Sequence, residues 1–332
     1  MNTALDPAMD MPQPTLIDLK PDLASVEDAV LQGLAAQPKA LPAWLFYDAE
    51  GSRLFEAICE QPEYYPTRTE LAILREHGPD IAATLGEGCT LVELGSGSER
   101  KAKVLLRLLR APDGYIGIDV SAAQLRSATA ALARAFPGLP VAGICADFGD
   151  DGALPLAELA GDGPLVGFFP GSTIGNMDPG AATGFLAGWA ERLAPGGMLV
   201  GVDLVKDKAV LDAAYNDAAG VTATFNRNML VHVARRLDTD LDPDAFAHHA
   251  FFDPAASRVE MHLVARRAHT VRVGGHRFQF RAGESIHTES SHKYTVEGFQ
   301  ALARQAGFQP QRVWTDPRRW FSVHYLAAPA GA

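Results

Sequence analysis

Residues 92–98, with the sequence VELGSGS, decide the fold of this 332-residue chain. They follow an apolar strand predicted at 90–93 and precede a predicted helix within SERKAKVLLRLL. Glycines directly after a strand and before a helix allow the backbone to approach a ligand closely. The stretch therefore indicates a strand–turn–helix unit of an α/β sheet, with a small-molecule site at the end of its strand.

Strands and helices alternate on both sides of this unit as far as residue 205. Strands are predicted at 115–120, 141–146, 165–169 and 198–204, and helices at 70–84, 122–136 and 181–193. Strands that alternate with helices of about 10–15 residues form right-handed βαβ units. We therefore predict a doubly wound, Rossmann-like parallel sheet.

The pattern changes between residues 206 and 294. Two helical stretches, one containing Tyr215 and one at 225–237, precede segments in which apolar and polar residues alternate, as in antiparallel strands with one solvated face. A helix at 296–306 and two strands joined by Asp316-Pro317 then return to the first sheet. We predict a flexible leader (residues 1–22), an α+β substrate-binding domain (23–68 plus 206–294) and a cofactor-binding domain (69–205 plus 295–330).

Composition excludes several classes of function. The 29 Lys and Arg against 40 Asp and Glu give a net charge of −11, which argues against nucleic-acid and anionic-membrane partners. No apolar run approaches the ~20 residues of a membrane span, and the first residues lack the basic region of a signal peptide. We predict a soluble, cytoplasmic enzyme, and we expect a monomer.

Metal binding is not expected. The three cysteines are scattered, and none of the ten histidines follows a metal-binding motif. His248 and His249 are adjacent and would face apart on a helix. His287 and His292 are five residues apart, with no third ligand at a suitable spacing.

Acidic residues end three successive predicted strands: Glu93, Asp119 and Asp147. Dinucleotide enzymes require a third glycine where this chain has Arg100, and Glu93 would repel a pyrophosphate. An acidic residue beside the glycine turn suits a ligand with a positive centre, which S-adenosylmethionine (SAM) has. Asp119 would bind ribose hydroxyls, and Asp147 with Phe148 would contact adenine. The alternatives are acidic helix caps at strand ends and a nicotinamide oxidoreductase.

Several further blocks resemble one family: FYDAEGSRLFEAICEQPEYYPTRTE, FFPGSTIGN, DLVKD, AYNDAAGVTATFNRN and HTESSHKY. Together with VELGSGS they resemble the histidine-specific, SAM-dependent methyltransferases, the L-histidine Nα-methyltransferases of ergothioneine biosynthesis. The resemblance runs from about residue 41 to residue 325. It implies a class I methyltransferase fold with a second substrate domain. It also implies transfer of three methyl groups from SAM to the α-amine of L-histidine, which gives hercynine.

The resemblance also implies roles for individual residues. Asn176 and Tyr215 would bind the substrate carboxylate; Asn176 and the Gly171 backbone would orient the amine, near Tyr47. The imidazole would contact Tyr64, Glu289, Ser291 and Met261. SAM would contact Gly95, Lys101, Asp119, Asp147 and Phe148, in addition to Glu93 and Gly97 of the glycine turn. Lys101 is otherwise a surface lysine, and Glu289 a strand-edge charge paired with Lys293.

The physical chemistry of histidine agrees with these roles. A carboxylate (Glu289) beside a hydroxyl (Ser291) can accept from one imidazole nitrogen and donate to the other. Direct in-line methyl transfer needs a deprotonated amine but neither a covalent intermediate nor a metal. Tyr47, or a water relayed through it, is the candidate proton acceptor. The alternatives are a relative acting on an indole amino acid or a histidine derivative, a non-catalytic SAM-binding protein and a nicotinamide dehydrogenase.

Overall fold

The computed structural model describes residues 13–19, 25–149 and 152–329. Its strands are β1 (Thr15–Asp18), β2 (Lys39–Ala40), β3 (Thr90–Leu94), β4 (Gly114–Asp119), β5 (Val141–Cys145), β6 (Leu165–Phe169), β7 (Gly197–Asp203), β8 (Phe246–Asp253), β9 (Arg258–Ala265), β10 (His269–Val273), β11 (His276–Phe280), β12 (Ser285–His292), β13 (Gln309–Thr315) and β14 (Phe321–Ala327). Its α-helices are α1 (Val26–Ala35), α2 (Ala49–Cys59), α3 (Pro66–Glu76), α4 (Gly78–Leu85), α5 (Arg100–Leu108), α6 (Ala122–Ala135), α7 (Leu156–Leu159), α8 (Pro179–Leu193), α9 (Lys208–Ala214), α10 (Val221–Arg236) and α11 (Val296–Gln305).

A large sheet confirms the predicted doubly wound α/β fold. Its strand order is β1-β5-β4-β3-β6-β7-β14-β13. The strands from β1 to β7 in this order are parallel, whereas β14 pairs antiparallel with β7 and with β13. The chain therefore returns to the first sheet after residue 294, as predicted. The carboxyl ends of β3, β4 and β5 lie side by side, where ligands bind to open α/β sheets.

The prediction of a flexible leader is wrong for part of its range. Residues 1–12 and 20–22 lie outside the described residues. Thr15–Asp18, however, forms β1 and pairs in parallel with residues 142–145 of β5. The Leu16 side chain lies in the space that the missing side chain of Gly143 leaves open. Four residues are too few to produce a recognisable alternation of apolar and polar residues, so the sequence does not reveal this strand.

A second sheet, in the order β2-β12-β9-β8, confirms the predicted antiparallel strands. His248 and His249 lie in β8 rather than on a helix, so that expectation was wrong. They still face apart, because successive side chains of a strand point to opposite faces. His248 lies between the Asn226 side chain and the Tyr215 carbonyl, whereas His249 is exposed.

Two helix predictions need correction. The helix predicted at 70–84 is two helices, α3 and α4, because Pro79 has no backbone N–H to donate to the preceding turn and favours a helix start. Tyr215 does not lie within a helix but caps the carboxyl end of α9. This position turns its ring towards the sheet that contains β12, where its hydroxyl meets Lys293.

Separate hydrophobic clusters fill the molecule. Two of them cover the faces of the large sheet. Another contains buried residues from 30–65 and from 211–286, so these two distant stretches pack on each other. Among the described residues, none of the helices combines the length and the apolar character needed to cross a bilayer.

Candidate active site

One cavity is lined by the seven residues that were predicted to bind the substrate and by Tyr47, the candidate proton acceptor. It lies between the ends of β6 and β7 and the inner face of the second sheet. Those eight residues are Tyr47, Tyr64, Gly171, Asn176, Tyr215, Met261, Glu289 and Ser291. Further lining residues include Phe55, Phe225, Asp203 and Lys293. The cavity wall is therefore partly aromatic and partly charged.

Paired strands β9 and β12 supply one wall of the cavity. Glu289 pairs with Met261 across the two strands, and a bulge between His287 and Glu289 adjusts the register. Glu289 and Ser291 are two residues apart, so both side chains point to the same face. Removal of water raises the pKa of Glu289 to about 7, although the positive charge of Lys293 opposes this shift. A ligand group that donates a hydrogen bond to Glu289 would stabilise the ionised form of this carboxylate.

The loop from Gly171 to Asn176 supplies another part of the cavity wall and packs against β12. Gly171 (φ 82°) and Ser172 (φ 62°) adopt left-handed conformations before a 3₁₀ turn over Thr173–Asn176. Glu70 fixes this loop: its fully buried carboxylate accepts the Gly171 N–H at 3.0 Å. The same carboxylate pairs with Lys101 Nζ at 2.6 Å. Lys101 is thus not a free surface lysine, because the Glu70 carboxylate connects it to the loop from Gly171 to Asn176, here called the substrate loop.

Aromatic rings form a further part of the cavity wall. The centroid of the Tyr47 ring lies 6.1 Å from the centroids of the Phe55 and Phe225 rings. The centroid of the Tyr64 ring lies 6.4 Å from that of the Tyr215 ring. Loss of water around the hydroxyl, and then the nearby Glu289 charge, raise the pKa of Tyr47, while 43% of the residue as a whole is exposed. Burial also raises the pKa of Tyr64. Both phenols therefore stay protonated near neutral pH and can act only as neutral hydrogen-bonding groups.

A buried charge network forms part of the cavity wall. Asp203, at the end of β7, accepts hydrogen bonds from Tyr65 at 2.8 Å and Lys206 at 2.6 Å, and it pairs with Lys293 at 2.9 Å. Burial alone would raise the pKa of Asp203, but the two ammonium groups outweigh it and lower that pKa. Burial lowers the pKa of Lys206 to about 8.

Sequence reasoning missed four members of this arrangement: Glu70, Tyr65, Asp203 and Lys206. The block DLVKD entered the family resemblance, but no residue in it was singled out. The alternative pairing of Lys293 with Glu289 is not what the structure has, since Lys293 forms its ion pair with Asp203. The available signal was an aspartate at a strand end followed three residues later by a lysine.

Residues predicted to bind the cofactor gather around the glycine turn after β3. Gly95 has φ 77°, and a Cβ at this position would lie 3.8 Å from the Phe148 ring. A Cβ on Gly97 would lie 3.6 Å from Asp119 Oδ2, while Asp119 Oδ1 accepts the Ser121 N–H. Gly95, Gly97, Asp119 and Phe148 thus surround one space. Asp147 stands beside Phe148, and its carboxylate accepts the Gly149 N–H.

Glu93 differs from the other acidic residues at these strand ends. It is only 1% exposed and accepts a hydrogen bond from the Tyr115 hydroxyl. Burial raises its pKa to about 8, although the Tyr115 hydroxyl opposes the shift. The carboxyl group is therefore largely protonated at pH 7, and a nearby cation would favour its ionised form. Within residues 13–19, 25–149 and 152–329, no group of three or more His, Cys, Asp or Glu side chains is arranged to hold a metal ion.

Comparison with known proteins agrees with this site. The family described as "Histidine-specific methyltransferase, SAM-dependent" matches residues 26–328. A histidine N-alpha-methyltransferase from Mycolicibacterium smegmatis is 45% identical over 300 residues, 89% of this chain and 92% of that protein. Another, from Mycobacterium tuberculosis, is 42% identical over 90% of this chain and 93% of its own length.

A more distant relative carries a different name. A 4-dimethylallyltryptophan N-methyltransferase from Claviceps purpurea is 27% identical, over 92% of this chain and 96% of its own length. The family match spans far more than half of the chain, and the two mycobacterial relatives align with it almost from end to end. The chain therefore belongs to the histidine-specific, SAM-dependent methyltransferase family.

Proposed function

We propose that this protein transfers three methyl groups from SAM to the α-amine of L-histidine, forming hercynine in the first step of ergothioneine biosynthesis. The observation that carries the proposal is that Glu289 and Ser291 lie on one face of β12 and line the same cavity as Asn176. A carboxylate and a hydroxyl on one strand match the donor and acceptor nitrogens of an imidazole. Family membership supports both the cofactor and the amino-acid substrate.

The proposed substrate contacts follow from the chemistry of each group. The Tyr215 hydroxyl and the Asn176 amide would donate to the substrate carboxylate. The Gly171 N–H is occupied by Glu70, so only the Gly171 carbonyl is left to accept from the substrate amine. Glu289 and Ser291 would hold the imidazole, with Tyr64 and Met261 beside it. The carboxylate and ring would then stay anchored while the amine nitrogen grows by three methyl groups.

The residues around the glycine turn fit an adenosyl group. The Gly95–Gly97 backbone leaves room that a side chain would fill, Asp119 keeps one carboxylate oxygen for ribose hydroxyls, and Phe148 offers a ring face for adenine. Asp147 would accept from the adenine amino group, and Glu93 would favour the ammonium of the methionyl group. Lys101 would act through Glu70. SAM supplies an electrophilic methyl group on a sulfonium, and the chain needs no metal for this chemistry.

Proton removal from the amine needs no strong base in this proposal. A free α-amine has a pKa near 8, and a neighbouring sulfonium disfavours its protonated form. Tyr47 stays a neutral phenol, so it would relay the proton to water rather than accept it as a phenolate.

Residues 23–68 plus 206–294 would act as the substrate domain, and residues 69–205 plus 295–330 as the SAM domain. A monomeric state and a cytoplasmic location stay predictions.

Mass spectrometry tests the proposed reaction directly. The purified protein is incubated with SAM and equal concentrations of histidine, tryptophan and phenylalanine. We expect histidine alone to gain one, two and then three methyl groups. Methylation of tryptophan instead would favour an indole substrate. If no amino acid is methylated although S-adenosylhomocysteine still binds, the chain is a SAM-binding protein without this activity.

Cofactor binding should release a proton from Glu93. Its carboxyl group has a pKa of about 8 in the free protein, and a bound ammonium group stabilises the ionised form. Affinity for S-adenosylhomocysteine should therefore rise with pH, by up to about tenfold per unit below pH 8. Calorimetry at pH 7 in two buffers of different ionisation enthalpy counts the protons released. The Glu93→Gln variant should bind more weakly and release fewer protons; equal release from both proteins contradicts the prediction.

A further inference from the structure

Lys293 is one of the residues that line the cavity, and it is almost completely buried. Its side chain is 1% exposed, and its Nζ is 2.9 Å from Asp203 Oδ2. The same Nζ donates to Ser291 Oγ at 2.7 Å and to the Tyr215 hydroxyl oxygen at 3.1 Å. One buried ammonium group therefore contacts two of the hydroxyls to which the substrate would bind.

The chemistry of an ammonium group determines which way these hydrogen bonds run. It has three N–H donors and no acceptor, so all three oxygen partners must accept. Burial opposes the charge on Lys293, but the Asp203 carboxylate outweighs it and raises the pKa of the ammonium. Lys293 thus stays protonated at neutral pH. Ser291 and Tyr215 each use a lone pair on Lys293 and keep their own protons for another acceptor. Ser291 also lies close enough to donate to the Tyr215 hydroxyl, which opposes the rise in the pKa of that phenol, so a bound substrate must compete for the Ser291 proton.

We infer that Lys293 is a positioning residue that makes the Ser291 and Tyr215 hydroxyls donors towards the cavity. This inference rests on the proposed function, since the acceptors are groups of the bound histidine. Tyr215 then donates to the carboxylate, and Ser291 donates to the ring nitrogen that bears no proton. Glu289 accepts from the other ring nitrogen.

This arrangement selects one form of the histidine ring. A neutral imidazole in a single tautomer satisfies both Ser291 and Glu289, whereas an imidazolium offers a second N–H towards the Ser291 donor. The positive charge of Lys293 also disfavours an imidazolium. The titratable groups that face Lys293 are Asp203 from β7, Lys206, Tyr215 after α9, and Glu289 and His292 from β12. Lys293 thereby determines specificity through the Ser291 and Tyr215 hydroxyls, which take up two of its three donors.

Ring analogues separate this role from a merely structural one. The 2-pyrrolyl and 3-pyrrolyl analogues of histidine keep an N–H donor at the Nδ1 and the Nε2 position, respectively, and have no acceptor nitrogen. The analogue whose N–H meets Glu289 is the better substrate of the two, and it leaves the Ser291 proton unpaired. We expect the parent protein to prefer histidine by about 10- to 100-fold in kcat/KM. In Lys293→Met the Ser291 hydroxyl is free to turn, and the preference should fall to about threefold or less.

Lys206→Met is the matched control. Lys206 pairs with the same carboxylate of Asp203 and also contacts Tyr65, but neither Ser291 nor Tyr215 is among its hydrogen-bond partners. Lys206→Met removes one positive charge from the Asp203 network, as Lys293→Met does, but leaves the hydrogen bonds of Ser291 and Tyr215 intact. The preference for histidine over the pyrrolyl analogue should therefore stay at the parent value. A preference that survives in Lys293→Met, or that is lost equally in Lys206→Met, overturns the inference. A parent protein that methylates no histidine overturns the proposed function instead.

A measurement on the parent protein does not depend on the folding of a variant. Histidine labelled with ¹⁵N in its ring is bound in the presence of S-adenosylhomocysteine at pH 6, where the free ring is partly protonated. We expect the bound ring to show one protonated and one unprotonated nitrogen. Two protonated nitrogens in the bound ring would overturn the inference, while binding itself would leave the proposed substrate intact.

Discussion

Replacing Glu289 with alanine should lower kcat/KM for histidine by about 100-fold or more and leave S-adenosylhomocysteine affinity within about threefold of the parent. The variant removes the carboxylate that the imidazole N–H would meet, and the ring would then be buried with an unpaired donor. The glycine turn and Asp119 lie in the other sheet, so cofactor binding should not change. Steady-state kinetics and calorimetry measure the two quantities.

Glu289→Gln is the control for size and shape. Glutamine keeps an acceptor oxygen at nearly the same place but cannot carry a negative charge, so it should retain part of the activity. Histidine should lose more activity than a substrate with an apolar ring in both variants. Full histidine activity in Glu289→Ala would show that Glu289 does not contact the substrate, and the assigned site would be wrong.

Replacing Asp203 with asparagine should destabilise the protein by about 3–5 kcal/mol at pH 7. The change leaves the buried Lys293 and the largely buried Lys206 without a counter-charge. Lys206 can lose its proton because its pKa is already lowered to about 8, so part of the cost is relieved at higher pH. Urea unfolding, followed by tryptophan fluorescence, measures the change in the free energy of unfolding.

The pH dependence gives this prediction a second test. The pKa of Asp203 is lowered in the folded protein, so its stabilising contribution is complete above about pH 5 and is lost as the pH falls through the folded value. The difference between parent and variant should therefore shrink in acid. Glu50→Gln, which removes the exposed partner of Arg53, should cost far less stability than Asp203→Asn at any pH, because solvent screens this ion pair. Equal losses in the two variants would contradict a special role for Asp203.

The cofactor-binding residues could be predicted from the sequence because each lies next to the strand that positions it. A glycine turn and acidic strand ends lie within a few residues of elements that the hydrophobic pattern predicts. Asp119 and Phe148 required only the knowledge that carboxyl ends of parallel strands meet at one edge of the sheet. The family resemblance, rather than periodicity, was needed for the substrate residues, since Tyr47 and Glu289 are far apart in the chain.

Other features depend on contacts that a single sequence does not express. Glu70 looks like an ordinary helix residue, and only the folded chain brings its carboxylate to the Gly171 N–H. The same holds for Asp203 and Lys293, which are 90 residues apart and meet where β7 ends beside β12. β1 was missed because four residues carry too little pattern, and the β8 histidines because pairing with β9, not local propensity, makes them a strand.

The carboxylate of Glu70 has a consequence for how the protein can diverge. It ties the Gly171 loop to Lys101 beside the glycine turn, so a substitution there would disturb both ligands at once. Met261, Glu289 and Ser291 lie instead on two paired strands of the other sheet. Mutations at these three positions can alter which substrate ring is bound, while the cofactor-binding residues around the glycine turn stay unchanged. Evolution of a new substrate in this fold should therefore begin on β9 and β12, whereas Glu70 should be among the last residues to vary.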